Sequence, residues 1–294
     1  MPRTFSLASA YAETVAPTHT TAPSLVALTR LETVLADLGR VVVAFSGGVD
    51  SALVAAVATK VLGARHVLCA TAVSPSLAPE DRSHCAALAA EWGLRWVAVA
   101  THELEDPAYV RNDLDRCYHC KRELMDVLAP LAASEQAAVV LGVNLDDLAD
   151  HRPGQKAAAE RGAVFPLVQA GLDKVTVRKV SQAMGLRTWD RPAAACLASR
   201  IPHGTPVTFG VLERVAAAES SLRRLGFESL RVRHYGDLAR IELPLADLWR
   251  AIDTRDEIVK AVRDAGYLYV TLDLEGLRSG NLSRAAAAAA ESRR

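Results

Sequence analysis

The sequence predicts an α/β protein in which an open parallel sheet carries helices on both faces and a smaller α+β domain follows. Half of the 294 residues are hydrophobic, which is enough to bury a large core. As far as Gly204, apolar strand-like runs alternate with amphipathic helical runs, and this alternation is typical of a parallel sheet. After Gly204 the order changes to helix, two strands, helix and strand, so we expect a second domain there.

The first domain is predicted to contain four strands and three clear helices. Each predicted strand is a short apolar run between turn residues, whereas each predicted helix has apolar residues three to four positions apart. The predicted strands cover residues 41–45, 66–73, 95–100 and 137–142, and the predicted helices cover residues 51–62, 80–92 and 121–133.

The second domain is predicted to begin with a helix over residues 207–225. The stretch "SLRVRHYGDLARIEL" predicts two strands joined at Tyr235-Gly236-Asp237, followed by a helix over 245–265 and a strand in "YLYVTLDL". We therefore expect a flexible extension over 1–27, the first domain over 28–204, the second over 205–282 and an alanine-rich tail over 283–294.

Charge and composition narrow the class of function. The 34 Lys and Arg residues balance the 34 Asp and Glu residues, so no global field attracts nucleic acid or an acidic membrane. No apolar run approaches the roughly 18 to 20 residues of a membrane span, and the first residues lack the features of a secretory signal. Five cysteines, an odd number, favour reduced thiols, so we expect a cytoplasmic protein. Cys69 in a strand-like run and Cys85 on a helical pattern are expected to be packed thiols without a role.

The stretch "RVVVAFSGGVDSALVAAVATKVLG" combines a strand, a glycine turn and the start of a helix. Glycines let the backbone bend tightly and bring amide groups close to a ligand, and a helix N-terminus adds partial positive charge. This combination favours bound phosphate, although the pattern lacks the Gly-Lys-Ser/Thr of a Walker A loop. The alternative is an ordinary strand-to-helix turn with hydroxyl caps. The candidate phosphate-binding residues are Ser46, Gly47, Gly48, Val49, Asp50 and Ser51.

Three of the cysteines stand in patterns that suggest chemistry. Cys117 and Cys120 have a Cys-x-x-Cys spacing just before a predicted helix, and Cys196 lies in "RPAAACLASRIPHGTPVT". A Cys-x-x-Cys pair by itself is consistent with half of a zinc site, a redox pair or two packed thiols. Zinc would need a fourth ligand, which His119 or His203 could supply.

The glycine turn and several later segments resemble one known enzyme family. Ser-Gly-Gly-Val-Asp-Ser resembles the signature of the PP-loop ATP pyrophosphatases, in which the loop holds the pyrophosphate of ATP. The segments "RCYHCKRELMDVL", "LGVNLDDLADHRPGQKAA", "RKVSQAMGL", "RPAAACLASRIPHGTPVT", "RVRHYGDLARIE" and "LDLEGLRSGNL" together resemble the LarE-type ATP-dependent sacrificial sulfur transferases. The resemblance runs in order from about Leu28 to Leu282 and implies an adenine nucleotide alpha hydrolase-like fold for the first domain.

The resemblance implies a two-stage reaction with ATP and Mg²⁺. A carboxylate of pyridinium-3,5-biscarboxylic acid mononucleotide would be adenylated with release of pyrophosphate, and sulfur would then displace AMP to give a thiocarboxylate. Adenylation supplies a good leaving group, and sulfur is a soft nucleophile available at neutral pH. The product would feed a downstream enzyme of nickel-pincer nucleotide cofactor biosynthesis. We also expect a homo-oligomer that binds neither nucleic acid nor membrane.

The resemblance also implies a role for the three cysteines. In family members with one cysteine, the residue at the position of Cys196 gives up its own sulfur and becomes dehydroalanine. Members with three cysteines hold a 4Fe-4S cluster, and the iron without a protein ligand carries an extra sulfide. Because all three are present here, we expect Cys117, Cys120 and Cys196 to hold such a cluster. The residues placed in the catalytic site are Cys196, Asp50, Ser199 and Arg200.

Other charged residues are candidate ligands of the nucleotide or the substrate. Asp146 and Asp147 follow a strand at the edge where an open sheet binds ligands, and could face magnesium or a ribose, or cap a helix. Arg231 and Arg233 share one face of a strand, a spacing suited to gripping a phosphate group, and exposed strand arginines are the alternative. Arg152 and Lys179 are further candidate nucleotide ligands, and Glu219, Glu242 and Arg278 are further candidate substrate ligands.

Two other kinds of function stay open at this point. One is another PP-loop enzyme, either an ammonia-using amide synthetase or a tRNA thiolation enzyme. The neutral charge disfavours tRNA, and no glutaminase half is visible in the sequence. The other is a non-catalytic nucleotide-binding or iron–sulfur scaffold. Pyrophosphate release on addition of ATP and the mononucleotide would distinguish an enzyme from a scaffold.

Overall fold

The computed structural model describes residues 22–148, 153–192 and 195–278 of the chain. These residues form two compact units. The first unit comprises the described residues of Met1–Ser74, Asp81–His102 and Cys117–Ala194, and the second comprises those of Pro75–Glu80, Glu103–Arg116 and Ala195–Arg294. Two short segments that precede Cys117 in the chain thus belong to the second unit. The domain limits of 28–204 and 205–282 stay predictions.

Within the described residues, the first unit contains a parallel sheet of four strands, as the sequence predicts. The strands are β1 (Val41–Ala44), β2 (Val67–Val73), β3 (Trp96–Ala100) and β4 (Ala138–Leu141), in the order β3-β2-β1-β4 across the sheet. Val42 in β1 pairs with Leu68 on one side and with Val139 on the other. Valine-rich runs suit such strands because β-branched side chains pack well in a sheet that is covered on both faces.

Helices cover both faces of this sheet, which confirms the predicted fold class. Val43 joins the hydrophobic core that contains Leu53, whereas Val42 joins a second core that contains Leu128. Neighbouring strand residues point to opposite faces, so the two cores lie on opposite sides of β1. Among the described residues, no helix is long and apolar enough to span a membrane. Within residues 22–148 and 153–183, which the structure describes, the helices are α1 (Ala22–Leu38), α2 (Val49–Leu62), α3 (Pro79–Trp92), α4 (Pro107–Val110), α5 (Arg116–Glu135), α6 (Leu145–Leu148), α7 (Pro153–Glu160), α8 (Pro166–Gln169) and α9 (Lys174–Ala183).

The helix that carries the Cys-x-x-Cys pair begins earlier than the sequence predicts. α5 starts at Arg116 rather than at residue 121, so Cys117 and Cys120 lie inside the helix rather than before it. Arg116 donates from Nη1 to Oδ1 of Asn112 at 2.6 Å, and Asn112 itself has a positive φ of 58°. The start was missed because polar residues at the beginning of α5 hide the apolar spacing of the helix.

Within the described residues, the second unit contains a mixed sheet of three strands. β5 (Arg231–Tyr235) and β6 (Leu238–Glu242) form the predicted antiparallel hairpin, and β7 (Tyr269–Leu272) lies parallel to β6 at its other edge. α10 (Phe209–Arg224) packs on this sheet, where Leu222 and Val232 share one core. The predicted hairpin is therefore confirmed.

The prediction of one continuous helix over 245–265 is wrong. Leu245–Asp247 form a 3₁₀ turn, and two helices follow, α11 (Leu248–Asp253) and α12 (Arg255–Asp264). Thr254 interrupts the helix, with φ −104° and ψ 27°, and its hydroxyl donates to the carbonyl oxygen of Arg250 at 2.9 Å. A β-branched residue with a local hydroxyl-to-carbonyl bond is a poor residue for the interior of a helix.

The strand order reverses at β1, which marks the carboxyl end of this strand as the expected place for a ligand. The chain runs from β1 outward to β2 and β3 on one side, and β4 later adds to the other side of β1. In open α/β sheets, ligands bind at the point where the strand order reverses in this way. The loops that follow β1 and β4 therefore lie side by side at the place where a ligand is expected.

Gly142, just after β4, allows this close approach. A Cβ at Gly142 would lie only 2.6 Å from the backbone N of Ser51, at the start of α2. We expect Gly142→Ala to push α2 away from β4 and to lower the free energy of unfolding by about 1–3 kcal/mol, the usual cost of overpacking. Chemical denaturation of both proteins measures the change.

Gly210→Ala is the matched control for this prediction. Gly210 lies in the first turn of α10, and a Cβ there would meet no atom within 4 Å. The same chemical change should leave stability unchanged or raise it slightly, because alanine favours a helix. Equal stability of the Gly142→Ala and Gly210→Ala variants would contradict the proposed constraint.

Candidate active site

The loop between β1 and α2 is fixed by the hydroxyl groups of two serines. The backbone N of Ser46 donates to Oγ of Ser51 at 3.2 Å, and the two Oγ atoms share a hydrogen bond of 3.0 Å. Oγ of Ser51 also donates to the carbonyl oxygen of Gly48 at 3.3 Å. The Ser-Gly-Gly-Val-Asp-Ser motif thus folds back on itself and forms a rigid turn.

The two glycines shape this loop because neither carries a side chain. Gly47 has φ 68°, and a Cβ there would lie 2.9 Å from Cδ2 of His84 and 3.0 Å from Sγ of Cys85. Gly48 precedes α2 and has no side chain to cap the helix, whose first amide N–H groups have no intrahelical acceptors. The turn therefore presents backbone donors at a helix N-terminus, an arrangement that fits the phosphates of ATP.

Asp50 in the first turn of α2 is held by two side chains from distant parts of the chain. Nδ2 of Asn144 donates to Oδ1 of Asp50 at 2.9 Å, and the ammonium group of Lys174 donates to Oδ2. The side chain of Asp50 is 17% exposed and that of Lys174 is 32% exposed. A carboxylate and an ammonium group thus stand together beside the phosphate-binding turn, where they could contact Mg²⁺ and phosphate.

The loop after β4 adds two more carboxylates at the same edge. Oδ1 of the buried Asn144 accepts hydrogen bonds from the backbone N of Asp146 at 3.0 Å and of Asp147 at 3.3 Å. Oδ2 of Asp146 accepts from the backbone N of Lys174 at 2.9 Å, which ties this loop to the start of α9. The structure therefore brings Asp146 and Asp147 to the edge at which the sequence analysis expected them.

Lys179 and Arg152 are the two basic residues that the sequence suggested as nucleotide ligands. Lys179 is exposed on α9, five residues beyond the lysine that contacts Asp50, and Arg152 lies outside the described residues. Neither Lys174 nor Asn144 was predicted from the sequence. Asn144 lies two residues beyond a predicted strand, and that position was the available signal. Lys174 had no comparable signal, because only the fold brings it to Asp50.

The three candidate cluster cysteines are divided between the two units. Cys117 and Cys120 belong to the first unit and stand three residues apart on α5, where Cys117 is exposed and Cys120 is half-buried. Cys196 belongs to the second unit and is exposed, immediately before the 3₁₀ turn Leu197–Arg200. Among the residues described, no group of three or more His, Cys, Asp or Glu side chains is arranged to hold a metal ion.

The other two cysteines are buried in the first core. Cys69 and Cys85 are both 0% exposed. Burial raises the pKa of the Cys69 thiol to about 12, with a smaller contribution from Cys85, and burial also raises the pKa of Cys85. Thiols that stay protonated are poor nucleophiles, which agrees with the expectation that both are packing residues.

In the second unit, Arg200 links Cys196 to a fully buried carboxylate. Nε and Nη2 of Arg200 donate to the two carboxylate oxygens of Glu219 at 2.8 Å and 3.1 Å. Nη1 of Arg200 donates to the carbonyl oxygen of Cys196 at 3.3 Å and to Oγ of Ser199 at 3.0 Å. The structure thus brings together four residues that the sequence analysis placed at the site.

The two strand arginines of β5 have different surroundings. Arg233 is 2% exposed, and its Nη2 donates to Oε2 of the fully buried Glu242 at 2.8 Å. Arg231 is half-buried and donates to the carbonyl oxygen of Arg278 at 3.3 Å. Burial lowers the pKa of Arg231, and the positive charges of Arg233 and Arg200 lower it further. A bound anion would therefore favour the charged form of Arg231.

The fold and the glycine turn define the class of this protein. A parallel sheet with a strand-order reversal at β1 carries a Ser-Gly-Gly turn at a helix N-terminus, with Asp50 and Lys174 beside it. This is the architecture of a PP-loop nucleotide-binding enzyme. Consistent with that class, residues 28–124 match the family model of NAD synthase.

Comparison along the whole chain identifies the family. The chain is 39% identical to the pyridinium-3,5-bisthiocarboxylic acid mononucleotide synthase of Lactiplantibacillus plantarum, over 85% of this chain and 91% of that protein. It is 47% identical to an uncharacterized protein of Synechocystis sp., over 87% of this chain and 97% of that one. An uncharacterized protein of Methanocaldococcus jannaschii is 26% identical over 82% of this chain and 91% of its own length. The chain therefore belongs to the LarE family of PP-loop enzymes, and the resemblance inferred from the sequence is confirmed.

Lys174 offers a direct test of the phosphate site. Lys174→Met removes the ammonium group and keeps most of the side-chain shape. We expect the KM for ATP in pyrophosphate release to rise roughly ten- to a hundredfold, since a hydrogen bond to a charged group is worth about 1.5–3 kcal/mol. A coupled assay for pyrophosphate measures the change.

The control for this test is Lys156→Met, because the side chain of Lys156 is 76% exposed on α7. It should leave the KM for ATP unchanged. A larger effect from Lys179→Met than from Lys174→Met would show that the assignment made from the sequence was right and the one made from the structure was wrong.

Proposed function

We propose that this protein is an ATP-dependent sulfur transferase that converts a carboxylate of pyridinium-3,5-biscarboxylic acid mononucleotide to a thiocarboxylate. The observation that carries the proposal is membership of the LarE family over most of the chain. The product would serve nickel-pincer nucleotide cofactor biosynthesis through a downstream enzyme. The proposal extends to a cytoplasmic homo-oligomer.

Adenylation would take place at the turn after β1. The substrate carboxylate oxygen bonds to the α-phosphorus of ATP, the bond to the bridging oxygen breaks, and pyrophosphate leaves. Backbone N–H groups from Gly47 to Ser51 would hold the phosphates, and Lys174 would neutralise charge on the departing pyrophosphate. Mg²⁺ bound by Asp50, with Asp146 or Asp147, would supply further charge neutralisation when present.

Sulfur transfer would then use the cysteines of the chain. A sulfur nucleophile attacks the carbonyl carbon of the adenylate, and the bond to AMP breaks, so that AMP leaves with the electron pair. Cys196 is exposed and would supply this sulfur in a sacrificial transfer. A sacrificial transfer would require later cleavage of the Cβ–S bond with loss of the Cα proton, which leaves dehydroalanine at Cys196.

A 4Fe-4S cluster is the second source of sulfur that we propose. This part of the proposal rests on the number of thiols, because three thiolate ligands would leave one iron of such a cluster open, and Cys117 and Cys120 lie three residues apart on α5. Such a cluster would supply sulfide repeatedly.

The cysteine proposal is tested by single Cys→Ala changes at Cys117, Cys120 and Cys196, with Cys69→Ala as the buried control. Protein purified without oxygen is analysed for iron, sulfide and absorbance, and thiocarboxylate is measured by mass spectrometry. We expect each of the three changes to abolish both the visible absorbance of the cluster and the formation of thiocarboxylate, because all three thiolates would be needed to hold the cluster. If only Cys196→Ala abolishes product, and spent wild-type protein is lighter at Cys196 by one hydrogen sulfide, the cysteine is sacrificed.

The mononucleotide phosphate would bind at Arg231. In the described residues, no carboxylate forms an ion pair with Arg231, whereas Glu242 already neutralises Arg233. Nε of Arg233 is buried and has no acceptor there, so Arg233 could add one donor to a bound anion. The carbonyl oxygen of Arg278 accepts a hydrogen bond from Arg231, so Arg278 lies beside it. The pair predicted from the sequence would thus act unequally, with Arg231 as the main phosphate ligand.

Arg231→Gln tests this assignment. We expect the KM for the mononucleotide to rise roughly ten- to a hundredfold, because a charge-assisted contact of about 1.5–3 kcal/mol is lost, while the KM for ATP stays unchanged. Arg255→Gln is the control, since the side chain of Arg255 is 67% exposed on α12. Equal increases in both KM values for Arg231→Gln would place Arg231 in the nucleotide pocket or in folding instead.

A further inference from the structure

The backbone of residues 195–205, here called the cysteine segment, is held by side chains from several elements of the second unit. Nη1 of Arg200 donates to the carbonyl oxygens of Ala195 at 2.7 Å and Cys196 at 3.3 Å. Three buried side chains donate to further carbonyl oxygens of this segment. Arg116 donates to the carbonyl oxygen of Ala198 at 2.8 Å, and Arg233 donates to that of Ser199 at 2.8 Å. Asn112 donates to the carbonyl oxygens of Pro202 and Thr205, at 2.8 Å each. Side chains therefore define the path of the backbone around Cys196.

Arg200 depends in turn on the carboxylate of Glu219. This carboxylate accepts both Nε and Nη2 of Arg200, and it also accepts the backbone N of Val232 at 3.0 Å and Nη2 of Arg223 at 2.9 Å. The paired bonds fix the plane of the guanidinium group, so that its third nitrogen points to the carbonyl oxygens of the cysteine segment. Glu219 thus orients the donor that holds Cys196.

Glu219 has no surface with which to contact a substrate. It is 0% exposed, and its two oxygens accept four donors from Arg200, Val232 and Arg223. Removing a carboxylate from such a site leaves a buried arginine without its counter-charge, which disrupts the local arrangement. Its position in a segment typical of the family therefore needs an explanation other than direct contact.

We propose that Glu219 is a positioning residue, which acts through Arg200 to hold the Cys196 backbone in the orientation needed for sulfur transfer. This inference rests on the proposed function. Adenylation takes place at a different set of residues, so loss of Glu219 should uncouple the two half-reactions. Glu242 and Arg233 repeat the relation between Glu219 and Arg200. Glu242 accepts a hydrogen bond from Arg233, and Arg233 donates to the carbonyl oxygen of Ser199.

Glu219→Gln tests the inference because glutamine keeps the shape and removes the charge and one acceptor. The experiment measures pyrophosphate released and thiocarboxylate formed by the same anaerobic protein with ATP and the mononucleotide. We expect the ratio of thiocarboxylate to pyrophosphate to fall at least tenfold. Hydrogen–deuterium exchange of peptides that cover 195–205 should become faster, because a backbone without its fixed donor opens more often and exposes its amide hydrogens.

Two further variants keep the result interpretable. Arg200→Lys retains the positive charge but cannot reach both the carboxylate and the carbonyl oxygens, so it should lower the ratio in the same way, even if Glu219→Gln fails to fold. Asp264→Asn is the matched control, because it removes a carboxylate from an exposed pair with Lys260 on α12 and should leave the ratio and the exchange unchanged.

The alternatives give distinct results. A higher KM for the mononucleotide with an unchanged ratio would mean that Glu219 binds substrate, and would overturn the proposal. An unchanged ratio in Arg200→Lys would also overturn it. Failure of the wild-type protein to release pyrophosphate with ATP and the mononucleotide would instead contradict the proposed function.

Discussion

The close packing of Gly142 against the start of α2 is the constraint on which the nucleotide site depends. Only a residue without a Cβ lets the end of β4 approach the backbone of Ser51 so closely. This approach places Asn144 within hydrogen-bonding distance of Asp50, and Asn144 then organises the loop that carries Asp146 and Asp147. The side-chain contacts of the site thus depend on the close approach of two backbone segments, as expected for a ligand site at a strand-order reversal.

The two units use charge in opposite ways. In the first unit, the ammonium group of Lys174 and the carboxylate of Asp50 are partly exposed, so both can exchange their mutual contact for phosphate or a metal ion. In the second unit, Glu219 and Glu242 are completely buried and bonded to Arg200 and Arg233. Breaking a buried pair by removing one partner typically costs about 3–5 kcal/mol, so such pairs persist as fixed structure. Exposed charge suits binding and turnover, whereas buried charge suits orientation.

The sequence predicted best the features that depend on neighbouring residues. The glycine turn, the strands and the hairpin at Tyr235-Gly236-Asp237 follow from local backbone preferences, and all three are found in the structure. The contact of Lys174 with Asp50 could not be predicted, because it joins residues far apart in the sequence and depends on where α9 lies relative to α2. The break at Thr254 was missed because one β-branched residue is a weak signal within an otherwise helical pattern. The roles proposed for Cys117, Cys120 and Cys196 came from the family resemblance, because the local Cys-x-x-Cys pattern is consistent with several alternatives.

The unequal surroundings of Arg231 and Arg233 show why residue type and spacing are insufficient to assign a ligand. The two arginines share a strand face, as alternation predicts, yet their charges are compensated differently. Arg233 forms an ion pair with Glu242, while the pKa of Arg231 is lowered first by burial and then by the positive charges of Arg233 and Arg200, which outweigh the opposing effect of Glu242 and Glu219. A cation in a repulsive field gains more from an incoming anion than one already paired, because binding relieves the repulsion as well as forming a new contact. Two arginines on one face of a strand can therefore differ in how much they would gain from a bound anion, even in a chain with no net charge.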